Sequence, residues 1–408
     1  MGVTQFNDYD QLAEYMDRLG LFHMDLTLSR MEAFWKARGL PDIPVVHVVG
    51  TNGKGSTSTF FGSIARAHGL KTGLFTSPHF LSPRERVQVN RTVLPRALWV
   101  ELANEILSTP GGDELTYFEF QTCLAMLAFE RQEVDVAIME AGLGGKFDAT
   151  NVFKPCLTLF TPIGMDHEKI LGPTLKDIAR DKAGAIHGGS HVITGVQVTE
   201  ALIPLQDRAK AVGARFMYAV DMADPVEDDL LGLPGIHQSA NARLALAGWR
   251  YYAVEKDIRS EHVAELFGLE TAFLPGRMQW IELGGKAFIL DGAHNSHALE
   301  ALSAALHAED IRPGAVVFAC LKDKDCTAML PLVQGLTDGP ILVPSMENER
   351  ASDAETLAGL LGETARSAES MEQALEACED VEGPILVCGS LYLLSEFYLL
   401  HPEFLSPN

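Results

Sequence analysis

From Pro44 onward the chain alternates two hydrophobic patterns. Short apolar runs rich in β-branched residues occur at Pro44–Val49, Thr72–Thr76, Val134–Glu140, Cys156–Pro162, His191–Gly195 and Arg215–Val220. Between them lie stretches with apolar positions at helical spacing, such as Ser56–Ala67, Arg96–Leu107 and Phe118–Arg131. Runs of this kind predict buried strands, and the helices between them predict βαβ crossovers and a parallel sheet. After "FLPGRMQW" a second series begins with Ala287–Leu290, Ala315–Ala319, Pro340–Val343 and Pro384–Cys388. Pro275-Gly276 interrupts the pattern, so the expected boundary lies near Leu274, with domains over 1–274 and 275–408. Ala351–Asp380 is acidic and alanine-rich and reads as solvated helix faces.

Composition narrows the class. The 408 residues exceed what one ordinary core organises, in keeping with two domains. With 47% hydrophobic and 21% charged residues the chain has the make-up of a soluble globular protein. No apolar run has membrane-spanning length, and Met1–Gly20 lacks the basic-then-apolar order of an export signal. The formal charge of −23 opposes a nucleic-acid partner, since phosphate backbones are held by clustered Lys and Arg. Six cysteines without a C-x-x-C pair favour reduced thiols over a disulfide frame or zinc site. The expectation is a cytoplasmic protein acting on small molecules, with neither membrane nor nucleic acid as partner.

Candidate chemistry begins with "HVVGTNGKGSTSTFFGSIARAHG", His47–Gly69. A buried strand gives way here to a helix, and helix N-termini offer unpaired N–H groups and partial positive charge to anions. Gly50, Thr51, Asn52, Gly53, Lys54, Gly55, Ser56 and Thr57 form the turn. Its glycines let backbone approach phosphates, Lys54 can reach terminal oxygens, and Ser56 and Thr57 offer hydroxyls to magnesium. The usual phosphate-loop spelling is missed at both ends: Val48 replaces the first glycine, and Gly55 follows the lysine where a hydroxyl residue is usual. Further candidates stand at later strand ends, where open α/β sheets place ligands. They are Glu140 before a glycine turn and Asp148, Asp166-His167, and Lys182 on an amphipathic helix. A carboxylate facing a phosphate loop is placed to hold magnesium.

Taken together the motifs resemble the folylpolyglutamate synthase/dihydrofolate synthase family of the Mur ligase superfamily. They run in order from "GTNGKGS" (Gly50–Ser56), "TSPHF" (Thr76–Phe80) and "TYFEF" (Thr116–Phe120) to "EAGLGGKFDATN" (Glu140–Asn151) and "IGMDH" (Ile163–His167). They continue through "LGPTLKDIARDKAG" (Leu171–Gly184), "HQSANA" (His237–Ala242), "PGR" (Pro275–Arg277), "DGAHN" (Asp291–Asn295), "LKDKD" (Leu321–Asp325) and "GSLYL" (Gly389–Leu393). This superfamily spells its phosphate loop without the first glycine, which accounts for the departure. The resemblance implies an α/β chain: a P-loop-containing, parallel-sheet N-terminal ATPase domain and a smaller, Rossmann-like C-terminal domain. It implies an ATP-dependent ligase that joins L-glutamate to dihydropteroate, reduced folates or both through an acyl phosphate, acting as a monomer.

Roles carry over as implications of that resemblance. Gly50–Thr57 hold the triphosphate; Asn241, Arg277, Asp291 and His294 contact ATP. Two magnesium ions are implied, with Ser56, Ser77 and Glu140 about the first and Glu140, His167 and Lys182 about the second. Lys54, Glu140, His167 and Lys182 form the catalytic set, with Lys182 carbamylated. An ammonium about 4 Å from a divalent cation would be repelled by roughly 8 kcal/mol at an effective dielectric of 20, and a carbamate reverses the sign. The pterin-bearing acid is assigned to Met24, Asp25 and Leu26, to Thr116, Tyr117, Phe118 and Glu119, and to Phe147, Asp148 and Ala149. Departures from the family pattern are Lys146 for arginine, Ser296 for proline, Asp181 for glutamate and Ala185 for isoleucine. Two other readings stand beside this one: a ligase acting on a peptidoglycan precursor, and a nucleotide-binding sensor without ligation.

Overall fold

The computed structural model describes residues 5–20, 26–322 and 324–407. Its compact units are Met1–Pro225 with Asn241–Thr271, and Val226–Ala240 with Ala272–Asn408. The later division falls between Thr271 and Ala272, and a single cut does not describe the units. Val226–Ala240 belongs with the second unit, where Ser239 Oγ donates to the Val226 carbonyl and Gly235 lies against Met278 and His237.

Among the described residues, the first unit's sheet has eight strands: β1 (Val45–Val49), β2 (Thr72–Phe75), β3 (Val87–Val89), β4 (Thr92–Val93), β5 (Val136–Glu140), β6 (Leu157–Phe160), β7 (His191–Thr194) and β8 (Arg215–Tyr218). Their order is β4-β3-β2-β5-β1-β6-β7-β8, parallel from β2 to β8, with β3 and β4 antiparallel at one edge. β1 and β5 are buried at every position because helices cover both faces. Along β5, Ala137 and Met139 join the core that includes Phe120 and Leu124 of the helix Tyr117–Arg131. Ile138 points the other way, toward Gly62 of the helix Lys54–Ala67. The period-two alternation is therefore apolar on both sides.

The second unit holds six described strands: β9 (Gln279–Leu283), β10 (Lys286–Leu290), β11 (Ala315–Phe318), β12 (Ile341–Pro344), β13 (Ala365–Ala368) and β14 (Ile385–Cys388). The order is β13-β12-β11-β14-β10-β9, parallel except for β9. Its core contains Ile289, Val316, Phe318, Val343 and Leu386.

The structure corrects two expectations. Within Ala351–Asp380, read as helix faces, Ala365–Ala368 forms edge strand β13 between the helices Ala354–Leu361 and Met371–Glu376. Its Arg366 and Ser367 are exposed, so no apolar pattern marked it. Cys320 and Cys326, expected as free thiols, are paired in a disulfide, with their Cα atoms 6.5 Å apart.

The phosphate-loop helix Lys54–Ala67 is backed by the helix His262–Glu270. Gly268 permits the approach: a Cβ there would lie 2.5 Å from Ile64 Cα and 2.8 Å from its nitrogen. Gly268→Ala is expected to destabilise the protein by about 1–3 kcal/mol, read as a lowered urea midpoint, and to weaken nucleotide binding in the same preparation.

Candidate active site

Three parallel strands deliver the site. β1 lies between β5 and β6, with Val48 opposite Glu140 and Val49 opposite Phe160. The chain beyond each C-terminal end therefore meets at one sheet edge, and Gly50 lies directly against Thr161, which would collide with a Cβ at Gly50. Thr51 fastens the turn: its N–H donates to the Pro162 carbonyl at 3.0 Å and its hydroxyl donates to the Gly164 carbonyl at 3.1 Å. The helix Lys54–Ala67 begins at Gly53, whose φ of 84° suits glycine, and no side chain caps it. That leaves an N-terminus suited to an anion. A Cβ on Gly53 would strike the Asn241 side chain, so the structure puts Asn241 on the phosphate loop.

Two ammonium groups converge on this turn. Lys54 Nζ donates to the Thr51 carbonyl at 3.0 Å, and Lys182 Nζ donates to the Gly50 carbonyl at 2.8 Å. Lys182 projects from the helix Leu175–Ala183, which starts at Thr174 with its hydroxyl accepting from Asp177 N. Lys182 is buried, and burial followed by repulsion from Lys54 lowers its amine from 10.5 to about 7. Asp181, Asp166 and Asp148 pull it back upward. Asp181 also pins the glycine turn to the lysine's helix: its carboxylate accepts from Gly145 N at 2.9 Å and its carbonyl from Lys146 N at 3.0 Å. No neighbouring residue in the chain marks Asp181 for this part.

Glu140 is buried at the end of β5, and its Oε2 accepts from Ser77 N at 3.3 Å. The Thr57 hydroxyl is buried without a hydrogen-bond partner, a cost a ligand or cation would relieve. Among the described residues no group of three His, Cys, Asp or Glu is set to hold a metal. One carboxylate with hydroxyls suits magnesium, which takes few protein ligands and completes its shell with phosphates and water. The orphaned Thr57 oxygen and Glu140 thus fit that ion. His167 begins the helix Glu168–Leu171 with φ 55°, and its side chain is 40% exposed.

The stretches assigned to the pterin-bearing acid divide. Met24 and Asp25 lie outside the described residues; Leu26 is exposed. Thr116 caps the helix Tyr117–Arg131 in a box with Glu119, whose Oε2 accepts from Thr116 N at 2.8 Å. Arg30 forks onto both Glu119 oxygens at 2.9 and 3.0 Å, so this carboxylate has a structural task. Tyr117 is buried under the Arg86 guanidinium, and Phe118 stacks 5.6 Å from Phe75. Asp148 is buried and accepts from Leu143 N at 2.8 Å and Thr150 N at 3.0 Å, and burial pushes its carboxyl up. Ala149 beside it is buried, whereas Phe147 is exposed, with Lys146 Nζ 4.6 Å from its ring centroid. A lysine at that position keeps the cation–π contact that an arginine would make.

The second unit gathers its own set. Asp291 is buried and accepts from Met278 N at 2.9 Å and Ala293 N at 2.8 Å. Arg277 donates to the Gly276 carbonyl and lies against Gly292, while His294 Nδ1 donates to the Gly292 carbonyl at 2.8 Å. His237, assigned no role from the sequence although it opens a quoted motif, is within electrostatic reach of Asp291 and Arg277, and its Nδ1 is buried without a partner. Ser296 is the first residue of the helix Ser296–Ala308, where proline is favoured because that N–H goes unused. Serine is accommodated there without strain, though it lacks the preset backbone that proline brings.

Residues 276–391 match the family described as Mur ligase, glutamate ligase domain. The chain is 33% identical over 403 residues to the dihydrofolate synthase/folylpolyglutamate synthase of Bacillus subtilis (strain 168), covering 90% of this chain and 93% of that protein. The Escherichia coli (strain K12) protein of the same description is 33% identical, covering 93% and 92%. The chain belongs to the dihydrofolate synthase/folylpolyglutamate synthase family. Solved members share its architecture. The E. coli FolC complex with DHPP and ADP superposes with a TM-score of 0.87 at 30% identity, covering 98% and 99% of the two chains. The bifunctional folylpolyglutamate synthase/dihydrofolate synthase of Yersinia pestis complexed with AMPPNP and Mn ion gives 0.87 at 29%, covering 98% and 100%. Both domains of the family are therefore α/β, with the phosphate loop on the larger sheet.

Burial of Lys182 has a measurable consequence in this family member. Between pH 7 and 10.5 the unfolded chain binds the proton that the folded lysine has released, so stability should rise with pH across that window. Urea denaturation of wild type and Lys182→Met at pH 7 and pH 9, in buffer purged of carbon dioxide, reads it. The variant is expected to be more stable at pH 7 and to gain less on moving to pH 9.

Proposed function

We propose that this ligase activates a carboxylate with ATP and joins it to the amine of L-glutamate, taking both dihydropteroate and reduced folates as acids. The observation that carries this reading is the meeting of Lys54 and Lys182 on the carbonyls of the phosphate loop, beside the buried Glu140. A carboxylate oxygen is a poor leaving group and phosphate a good one, so the acid is phosphorylated before the amine attacks. Two anions must approach when the acid's oxygen attacks the γ-phosphorus, and fixed positive charge and alignment lower that barrier. Lys54 exchanges the Thr51 carbonyl for phosphate oxygens, and the backbone N–H groups of the turn hold the triphosphate. The amine then attacks the acyl carbon, the C–O bond to phosphate breaks, and the product is an amide, ADP and phosphate.

Bound magnesium, held through Ser56 or Thr57, Ser77 and Glu140, with a second ion at Glu140, His167 and Lys182, supplies charge neutralisation to the phosphates. We assign Asn241, Arg277, Asp291 and His294 to ATP, and the strips about Leu26, Tyr117 and Phe147 to the acid. Lys182 is read as carbamylated: its ammonium first loses a proton to solvent, the neutral Nζ bonds to the carbon of carbon dioxide, a second proton leaves the nitrogen, and a buried cation becomes a metal-binding anion. No helix of the described residues is long and apolar enough to cross a membrane, and we place the enzyme in the cytoplasm as a monomer.

Phosphate release with ATP and glutamate, assayed separately with dihydropteroate and with tetrahydrofolate, tests the reading. Release with both acids is expected; ATP binding without glutamate-dependent release would support a sensor instead. Lys182→Ala is expected to lower kcat by about 10²–10³, the scale for losing a group that stabilises the transition state. ATP affinity, measured by calorimetry, should change far less; equal loss of both would make Lys182 a structural residue.

A further inference from the structure

β1 reads Val45-Val46-His47-Val48-Val49, and every position in it is buried. An apolar side chain would suit its centre better, because a buried imidazole needs partners for its nitrogens. His47 is fully buried, and its Nδ1 has no hydrogen-bond partner. Burial, and then the nearby His187, lower its pKa to about 3, so the ring is neutral. Its hydrogen bond is made by Nε2, which lies 2.8 Å from the Thr150 hydroxyl oxygen.

That contact is the first link of a chain with a fixed direction. Leu143 N, Thr150 N and the Thr150 hydroxyl all donate to the Asp148 carboxylate. The Thr150 proton is therefore committed to Asp148, and the Thr150 oxygen can only accept from His47. The imidazole thus carries its proton on Nε2, in keeping with the bare Nδ1. His47, Thr150 and Asp148 are all buried, so water does not compete for these bonds.

The chain ends on a turn between the phosphate loop and the strips assigned to the acid. Asp148 accepts from Leu143 N at 2.8 Å and from Thr150 N at 3.0 Å, which clasps both ends of the segment 143–150. The Gly142 N–H acts on the same carboxylate. Gly142 lies flat against the Phe118 ring, where a Cβ would come within 2.5 Å of Cζ. Phe147 belongs to the clasped segment and is exposed. The strips about Tyr117 and about Phe147 therefore meet on one clasp, and its last link stands three residues before Gly50 on the strand that carries the phosphate loop. We infer that His47 is a positioning residue for the acid: through Thr150 and Asp148 it fixes this turn against Phe118, so that the acid's ring system is received in register with the triphosphate. The inference rests on the assignment of these strips to the pterin-bearing acid.

Side-chain reach provides the test. Gln places an amide N–H where His47 Nε2 stands, Asn reaches only as far as Nδ1, and Leu offers no donor. Phosphate release by the full-length protein, with dihydropteroate and with tetrahydrofolate, gives KM for each acid, KM for ATP and kcat. Calorimetry with ADP reports the phosphate loop independently. In His47→Leu and His47→Asn the KM for the acids is expected to rise about tenfold, the scale of one buried hydrogen bond, with ADP affinity and the KM for ATP within about twofold of wild type. His47→Gln should recover most of the loss. Thr150→Val removes the middle link without touching β1 and should raise the same KM; adding His47→Leu to it should have no further effect, because links in series are not additive. A role confined to folding would lower ADP affinity in step with acid affinity and give no recovery with Gln. Either result, or acid KM unchanged in His47→Leu and Thr150→Val, would overturn the inference. Wild type that releases phosphate with neither acid would instead overturn the proposed function, and this inference with it.

Discussion

A lysine ammonium taken out of water loses hydration worth several kcal/mol, and Lys182 receives in return a hydrogen bond to the Gly50 carbonyl and the more distant fields of three aspartates. That imbalance explains much of the first unit's arrangement. The lysine cannot relax outward, because Asp181 and the glycine turn lock its helix in place and Gly145 packs flush against its backbone. It cannot approach another cation cheaply, yet Lys54 stands on the same turn. The carbamylation proposed for Lys182 would remove this repulsion by exchanging its cation for an anion, leaving Lys54 as the fixed positive charge that meets the phosphates.

The same economy shapes the residues around it. Glu119 and Asp148, both carboxylates in stretches associated with the acid substrate, spend their oxygens on backbone N–H groups and, for Glu119, on Arg30. They set the helix Tyr117–Arg131 and the turn after Glu140 in position. Among the described residues, buried side-chain atoms without a partner include the Thr57 hydroxyl beside the phosphate loop and His237 Nδ1 in the second unit.

Substitutions at family positions follow from local geometry. Ser296 is tolerated at the first helical position because no N–H partner is lost there. Lys146 retains a cation over the Phe147 ring. Asp181 sits close enough for its short side chain to reach Gly145 N directly.

How much was legible in the chain differs by element. Buried central strands and their helices were readable because a parallel sheet covered on both faces needs continuous apolar runs, and the phosphate loop was readable because its glycines, lysine and hydroxyls are consecutive. Strands β3, β4, β9 and β13 were missed, since strands at or near a sheet edge carry polar residues and bury little. Local order also hid the discontinuity of the second unit: Val226–Ala240 joins it through contacts with residues more than thirty positions away, such as Met278. The sequence by itself determined the α/β alternation and the phosphate loop, because each is written in adjacent residues. Only the tertiary structure decided that Lys182 is buried on Gly50 and that Glu119 and Asp148 are already engaged. Burial and hydrogen-bond partners come from segments distant in the chain, and spacing along a sequence does not encode them.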